Sequence, residues 1–173
     1  MFYPYGRSYY GQLEDAKQIY EVQMGMVGFN EWRNFPTMGT KGLGSCSVVV
    51  IASQHAGILA HIKPEPGTAT NPYAGDNVVR EVMRQLKITH DQYKRLGFFP
   101  HANSSVVCAY YQGSQALPAQ INIMKAGLRE MGYEPVIREY HVPANEMLIG
   151  AGEVVVDSRS AGMPVVYVES RVV

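Results

Sequence analysis

The chain has little cysteine, no excess of either charge and no long apolar run. Cys46 and Cys108 are its only two cysteines in 173 residues. That is no disulfide framework; a single Cys46–Cys108 bridge is the one pairing open to it. Fifteen Lys and Arg balance fifteen Asp and Glu, for a formal net charge of zero. Without a basic stripe to follow a phosphate backbone, a nucleic-acid partner is not expected. No apolar run approaches the roughly 20 residues of a membrane-spanning helix, so no membrane span is expected. The start, Met1-Phe2-Tyr3-Pro4-Tyr5-Gly6-Arg7-Ser8-Tyr9-Tyr10, lacks the charged opening and apolar centre of a signal peptide. The expectation is a cytoplasmic protein. Internal repeats and linkers are lacking too. His55, His90, His101 and His141 show no ligand spacing with cysteine or acid, so no metal site is expected.

What is present describes one globular domain. A hydrophobic content of 46% with 17% charged residues lies outside the disordered regime, and the length allows a substantial core. Neutrality near working pH favours association with other chains. Residues 1–17 are rich in tyrosine and glycine and read as an extended arm, not a helix. Their aromatic rings are costly to leave in water, so the arm is expected to pack on the domain or on a protein partner. Residues 18–173 form the domain.

Along the domain, 19–27 alternates as a strand, with Gly25 and Gly28 as weak points, and 30–38 reads as a loop. Val78, Val79, Val82, Met83 and Leu86 fall at helical spacing and predict a helix over 74–86, with 91–96 continuing it or adding a turn. A strand over 104–111 follows, with Cys108 as a core residue. Leu117, Ile121, Met124, Leu128 and Met131 mark an amphipathic helix with Pro118 in its first turn. Strands over 136–141, 153–157 and 164–169 close the chain. Strand runs interrupted by two main helices predict an α+β fold, layered and with a mixed sheet.

Chemistry concentrates around Thr40-Lys41-Gly42-Leu43-Gly44-Ser45-Cys46. The cysteine opens a β-branched run, Ser47-Val48-Val49-Val50-Ile51. After polar Ser53-Gln54-His55, a second apolar run ends at His61. Two such runs predict a β-hairpin, whose return strand brings His61 beside Cys46. A cysteine and a histidine so placed can act as nucleophile and base; the plainer alternative is a buried structural thiol and a solvated histidine. Gly39, Gly42 and Gly44 allow a tight turn. Its backbone amides, at Gly44 and Ser45 above all, are candidates to stabilise an oxyanion. The stretch lacks the Lys-Ser/Thr ending of a phosphate loop and is followed by a strand, unlike a dinucleotide fingerprint. The breaker-rich segment from Lys63 to Pro72 reads as a loop, either a plain connection or a recognition loop.

The same residues resemble the CheD family, the chemoreceptor glutamine deamidases of bacterial chemotaxis. The resemblance rests on Thr40 through Cys46, on Gly57-Ile58-Leu59-Ala60-His61, and on the order of elements over about 18–157. It implies a layered α/β sandwich shared with toxin deamidases. It also implies a Cys-His-Thr set carried here by Cys46, His61 and Thr40. The reaction implied is hydrolysis of a protein glutamine side chain to glutamate and ammonia through a thioester, without metal or organic cofactor. Some members also demethylate receptor glutamyl esters or bind a CheC phosphatase. Here Ser47 stands where the family usually has valine. Pro118-Ala119-Gln120 replaces a Gly-Ala-Arg-Asn-like helix start, and Pro143-Ala144-Asn145 a Gly-Gly-Asn-x-x-Arg stretch. Because these surfaces differ, the target protein is open and CheC binding is not carried over. Two other readings fit the residues: a CheD-fold scaffold without turnover, and another Cys-His hydrolase acting on a small substrate.

Overall fold

The computed structural model describes residues 6–65, 73–145 and 147–172. In chain order the elements are α1 (Tyr9–Asp15), β1 (Ile19–Glu21), β2 (Val27–Glu31), β3 (Thr37–Thr40), β4 (Ser47–Ala52), β5 (Ala56–Ile62), α2 (Ala74–Arg95), β6 (Asn103–Tyr111), β7 (Ser114–Gln115), α3 (Pro118–Glu130), β8 (Val136–His141), β9 (Val154–Asp157), β10 (Val165–Val168) and β11 (Arg171–Val172). They form one α+β domain of two stacked sheets with helices on both outer faces.

The larger sheet is ordered β2-β5-β4-β6-β7, with β8 also paired to β6. Its centre is the β4–β5 hairpin. Ser53 closes the turn by accepting the amides of His55 at 3.0 Å and Ala56 at 3.2 Å on its hydroxyl. All thirteen residues of the two strands are buried, which is why β4 reads as an unbroken β-branched run and not as alternation. The crossover through α3 makes β6 and β8 parallel, while the other pairings of this sheet are antiparallel. The smaller sheet is ordered β1-β3-β9-β10-β11.

Two cores follow from the stacking. Val49, Ile51, Ile58 and Val106 point to α2 and α3, meeting Val79, Leu86, Met124 and Leu128. Val48, Val50, Leu59 and Val107 point the other way, onto Met38, Val154 and Val156 of the smaller sheet. On the outer face of that sheet lies α1, which packs Tyr9, Tyr10 and Leu13 around Val155.

Several expectations change. Residues 9–15 are a helix and not an extended arm. Ser8 caps it by accepting the Gly11 amide at 3.0 Å, and its tyrosines gain a sheet to pack on, which outweighs weak local propensity. The segment 1–5 of the arm lies outside the described residues. The strand expected over 19–27 is two strands broken at 22–26, and the loop expected over 30–38 gives way to β3. The helix from Ala74 runs unbroken to Arg95, because buried His90 continues the face of Val79, Val82, Met83 and Leu86. Residues 66–72 of the expected loop lie outside the described residues. Cys46 and Cys108 are both free and belong to the two different cores, so the sheet itself separates them and no bridge forms. Among the described residues, no helix is long and apolar enough to cross a membrane.

Candidate functional site

The hairpin register is the first determinant of the site. Val48 pairs with His61 and Ser47 with Ile62. Cys46 lies one residue before β4. Side chains two apart share a face, so Cys46, Val48 and His61 all face the space between the sheets. Thr40 reaches the same space from the opposite side. It ends β3 in the smaller sheet, one pleat beyond Met38, and is paired with Val154. All three side chains are buried, Cys46 at 5% exposure and Thr40 and His61 at 1% each. Histidine is therefore not a solvated surface residue here.

The second determinant is the break between β1 and β2. Residues 22–26 run alongside His61 and bond both of its backbone groups. The Gly25 amide donates to the His61 carbonyl at 2.8 Å, and the His61 amide donates to the Met26 carbonyl at 3.0 Å. The Val22 carbonyl accepts from the Thr40 hydroxyl at 2.7 Å, and Val22 is itself anchored by donating its amide to Gly39 at 2.9 Å. Gly39 is required at that spot because a Cβ there would meet the Val154 carbonyl at 2.3 Å.

These bonds decide where the imidazole proton sits. Thr40 Oγ1 lies 2.6 Å from His61 Nδ1. A hydroxyl has one proton, and the Val22 carbonyl, which can only accept, takes it. Thr40 must then accept from Nδ1–H. The neutral ring consequently carries its proton on Nδ1 and leaves Nε2 as a bare acceptor. Nε2 is buried and has no hydrogen-bond partner among the described residues. Buried polar atoms are rarely left so.

Electrostatics keep this pair neutral at rest. Burial, and secondarily the charge of Lys63, push the His61 pKa down to about 4. Burial likewise pushes the Cys46 thiol up, against the backbone amides of Ser45 and Cys46 and the charge of Lys63, which favour the thiolate. Backbone amides of Ser45 and Cys46 are thus directed at the sulfur. Gly44 is exposed, and a Cβ there would meet nothing within 4 Å. Of the three turn glycines only Gly42 has a positive φ, +78°. The turn is pinned from outside: Tyr140 donates its hydroxyl to the Cys46 carbonyl at 2.6 Å, and the Leu43 amide donates to the Gly152 carbonyl at 3.1 Å.

Sequence reasoning placed Cys46, His61 and Thr40, and they share one end of the inter-sheet core. It missed the Val22 carbonyl, which leaves no side-chain signal, and Tyr140, which reads as an ordinary strand residue. Among the described residues, no three potential metal-ligating side chains of the His, Cys, Asp or Glu type converge. Comparison with models of known protein families and with curated proteins gave no match to this chain.

Proposed function

We propose that the chain is a cysteine-dependent amidohydrolase of the CheD type that converts a glutamine side chain of a protein to glutamate. One observation carries this reading. The Val22–Thr40–His61 chain of hydrogen bonds leaves Nε2 unprotonated and unpartnered on the face shared with Cys46. A structural histidine would have both nitrogens satisfied. A general base needs one free.

In this reading the resting thiol and imidazole are both neutral, and the ion pair expected from the free residues forms only as reaction begins. A glutamine side chain enters at the 42–46 turn. His61 Nε2 takes the thiol proton as the sulfur attacks the amide carbon. Amides of the 44–46 turn stabilise the oxyanion. Thr40 holds the ring in place through Nδ1–H, as a carboxylate does in a serine protease. Being neutral, it stabilises the imidazolium less. The imidazolium then protonates the departing nitrogen, ammonia leaves, and a thioester remains. Water, deprotonated by His61, hydrolyses it to the glutamate carboxylate, and the proton returns to the sulfur.

The test is ammonia release from glutamine-bearing peptides, with hydroxylamine added to trap the thioester as a hydroxamate. Wild type should release ammonia and form the hydroxamate, and Cys46→Ala should do neither. Equal ammonia release by both proteins would sink the reading.

A further inference from the structure

The rim of the site offers a cation and two apolar side chains to whatever enters it. Lys63 lies one residue past β5. The register that pairs Ser47 with Ile62 carries it next to Cys46, and strand alternation sets it on the face of His61. Its charge is felt by both groups. Its side chain runs alongside Gly25, whose added Cβ would lie 3.5 Å from the Lys63 Cε. Gly25 is flanked by Met24 and Met26, exposed at 54% and 57%. Those three residues belong to the 22–26 loop that runs alongside His61, so this rim is built onto the catalytic histidine's own backbone. Lys63 is exposed, and among the described residues no carboxylate pairs with it. By contrast Lys41, at the other side of the turn, is engaged by Glu14 at 2.8 Å.

From this juxtaposition we infer that the site reads an acidic glutamine segment, one in which a carboxylate and an apolar side chain flank the glutamine. The carboxylate meets Lys63 and the apolar side chain lies on Met24 and Met26, whose flexible thioethers suit varied shapes. An unpaired exposed cation beside a buried reaction centre favours a complementary anion and rejects a like charge. The inference rests on the deamidase reading for its chemistry, but the recognition can be measured without turnover.

The experiment uses three fluorescent peptides that differ only beside the glutamine, carrying Glu, Ala or Lys, each with a leucine on the other side. Binding is read by anisotropy on full-length Cys46→Ala, and kcat/KM by ammonia release on wild type. Lys63→Glu is placed in both backgrounds. Wild type should prefer the Glu peptide over the Lys peptide by about fivefold, fading in high salt, as expected for an exposed charge contact. Lys63→Glu should invert that order. Lys63→Glu also alters the thiol, but equally for every peptide, so the ratio isolates recognition. Turnover without peptide preference would overturn the inference and leave the deamidase reading standing. Preferential binding without turnover of any peptide would support the inference and overturn the deamidase reading. No binding and no turnover would overturn both.

Discussion

Each side of the larger sheet has a buried cysteine and a buried histidine, and the two sides are built differently. On the helix-facing side, Cys108 donates its thiol to the Arg138 carbonyl at 3.7 Å. Burial, with help from the Glu139 charge, pushes that thiol up to about 11. His90 has both nitrogens occupied, Nδ1 by Asp91 at 3.1 Å and Nε2 by the Tyr133 hydroxyl at 2.7 Å. Since Asp91 can only accept, Nδ1–H donates to it and Nε2 accepts from Tyr133. On the inter-sheet side, His61 has the same Nδ1-protonated tautomer but an empty Nε2, and Cys46 has amides of its own turn aimed at its sulfur. Burial alone does not distinguish the two histidines, each 1% exposed. What distinguishes them is whether every polar atom is satisfied. The satisfied histidine is a strut tying α2 to the segment after α3; His61 keeps an acceptor unpaired among the described residues, the feature that the proposed reading uses as a base.

Paired substitutions at the two cysteines separate the two sides most clearly. Cys46→Ala should lower ammonia release by more than about a thousandfold, the scale of losing a nucleophile. Cys108→Ala should leave turnover within about twofold and lower stability by about 1 kcal/mol, the loss of a small buried group. Next comes the histidine pair. His61→Gln should cost about a hundredfold or more in kcat, the range for a general base. His90→Gln should leave kcat unchanged while lowering the urea midpoint, because Tyr133 loses its acceptor. That loss is about 1–3 kcal/mol.

Thr40 tests the hydrogen bond to His61 itself. Thr40→Val strands both the Val22 carbonyl and His61 Nδ1–H. Turnover should fall by about tenfold to a hundredfold, the kinetic equivalent of one to two unsatisfied buried groups. Thr40→Ser keeps the hydroxyl and should recover most of that loss in a kcat assay. Equal loss in both variants would mean that packing, not the hydrogen bond, is what Thr40 supplies.

The smallest effect is on stability against pH. His61 titrates near 6.5 when unfolded and near 4 when folded. Between those values the unfolded chain binds the proton and the folded one does not, so this contribution is full above about 6.5 and is lost as pH falls toward 4. His90, also lowered chiefly by burial, acts in the same direction. Urea midpoints at pH 7 and pH 5 should therefore differ, and His61→Gln should reduce the difference more than His101→Gln. A slope untouched by His61→Gln would place the acid sensitivity elsewhere.

The sequence was legible where one residue type repeats with one period. The β4–β5 hairpin is visible because both faces of its strands are buried and read as unbroken apolar runs, and α3 because its apolar residues recur on one face. The placement of Cys46 and His61 on one face was legible because a hairpin register fixes which residues stand across from one another. The helix α1 was not legible, because Tyr9 and Tyr10 favour it only through the sheet beneath them. Nor was the break at 22–26, where Ile19 to Val27 alternates like a strand. Its backbone leaves the smaller sheet at Val22 to run alongside His61 and enters the larger one at Val27, a change driven by tertiary hydrogen bonds and not by composition. The element that sets the tautomer is a backbone carbonyl, and any residue type at position 22 carries one.

In the proposed reading His61 waits as a neutral base with Nε2 bare. Long-range nitrogen–proton NMR of the imidazole, in wild type at pH 7, reports it directly. The account predicts a protonated Nδ1 and an unprotonated Nε2, unchanged down to about pH 5 and disturbed in Thr40→Val. A proton found on Nε2, or an imidazolium at pH 7, would contradict it.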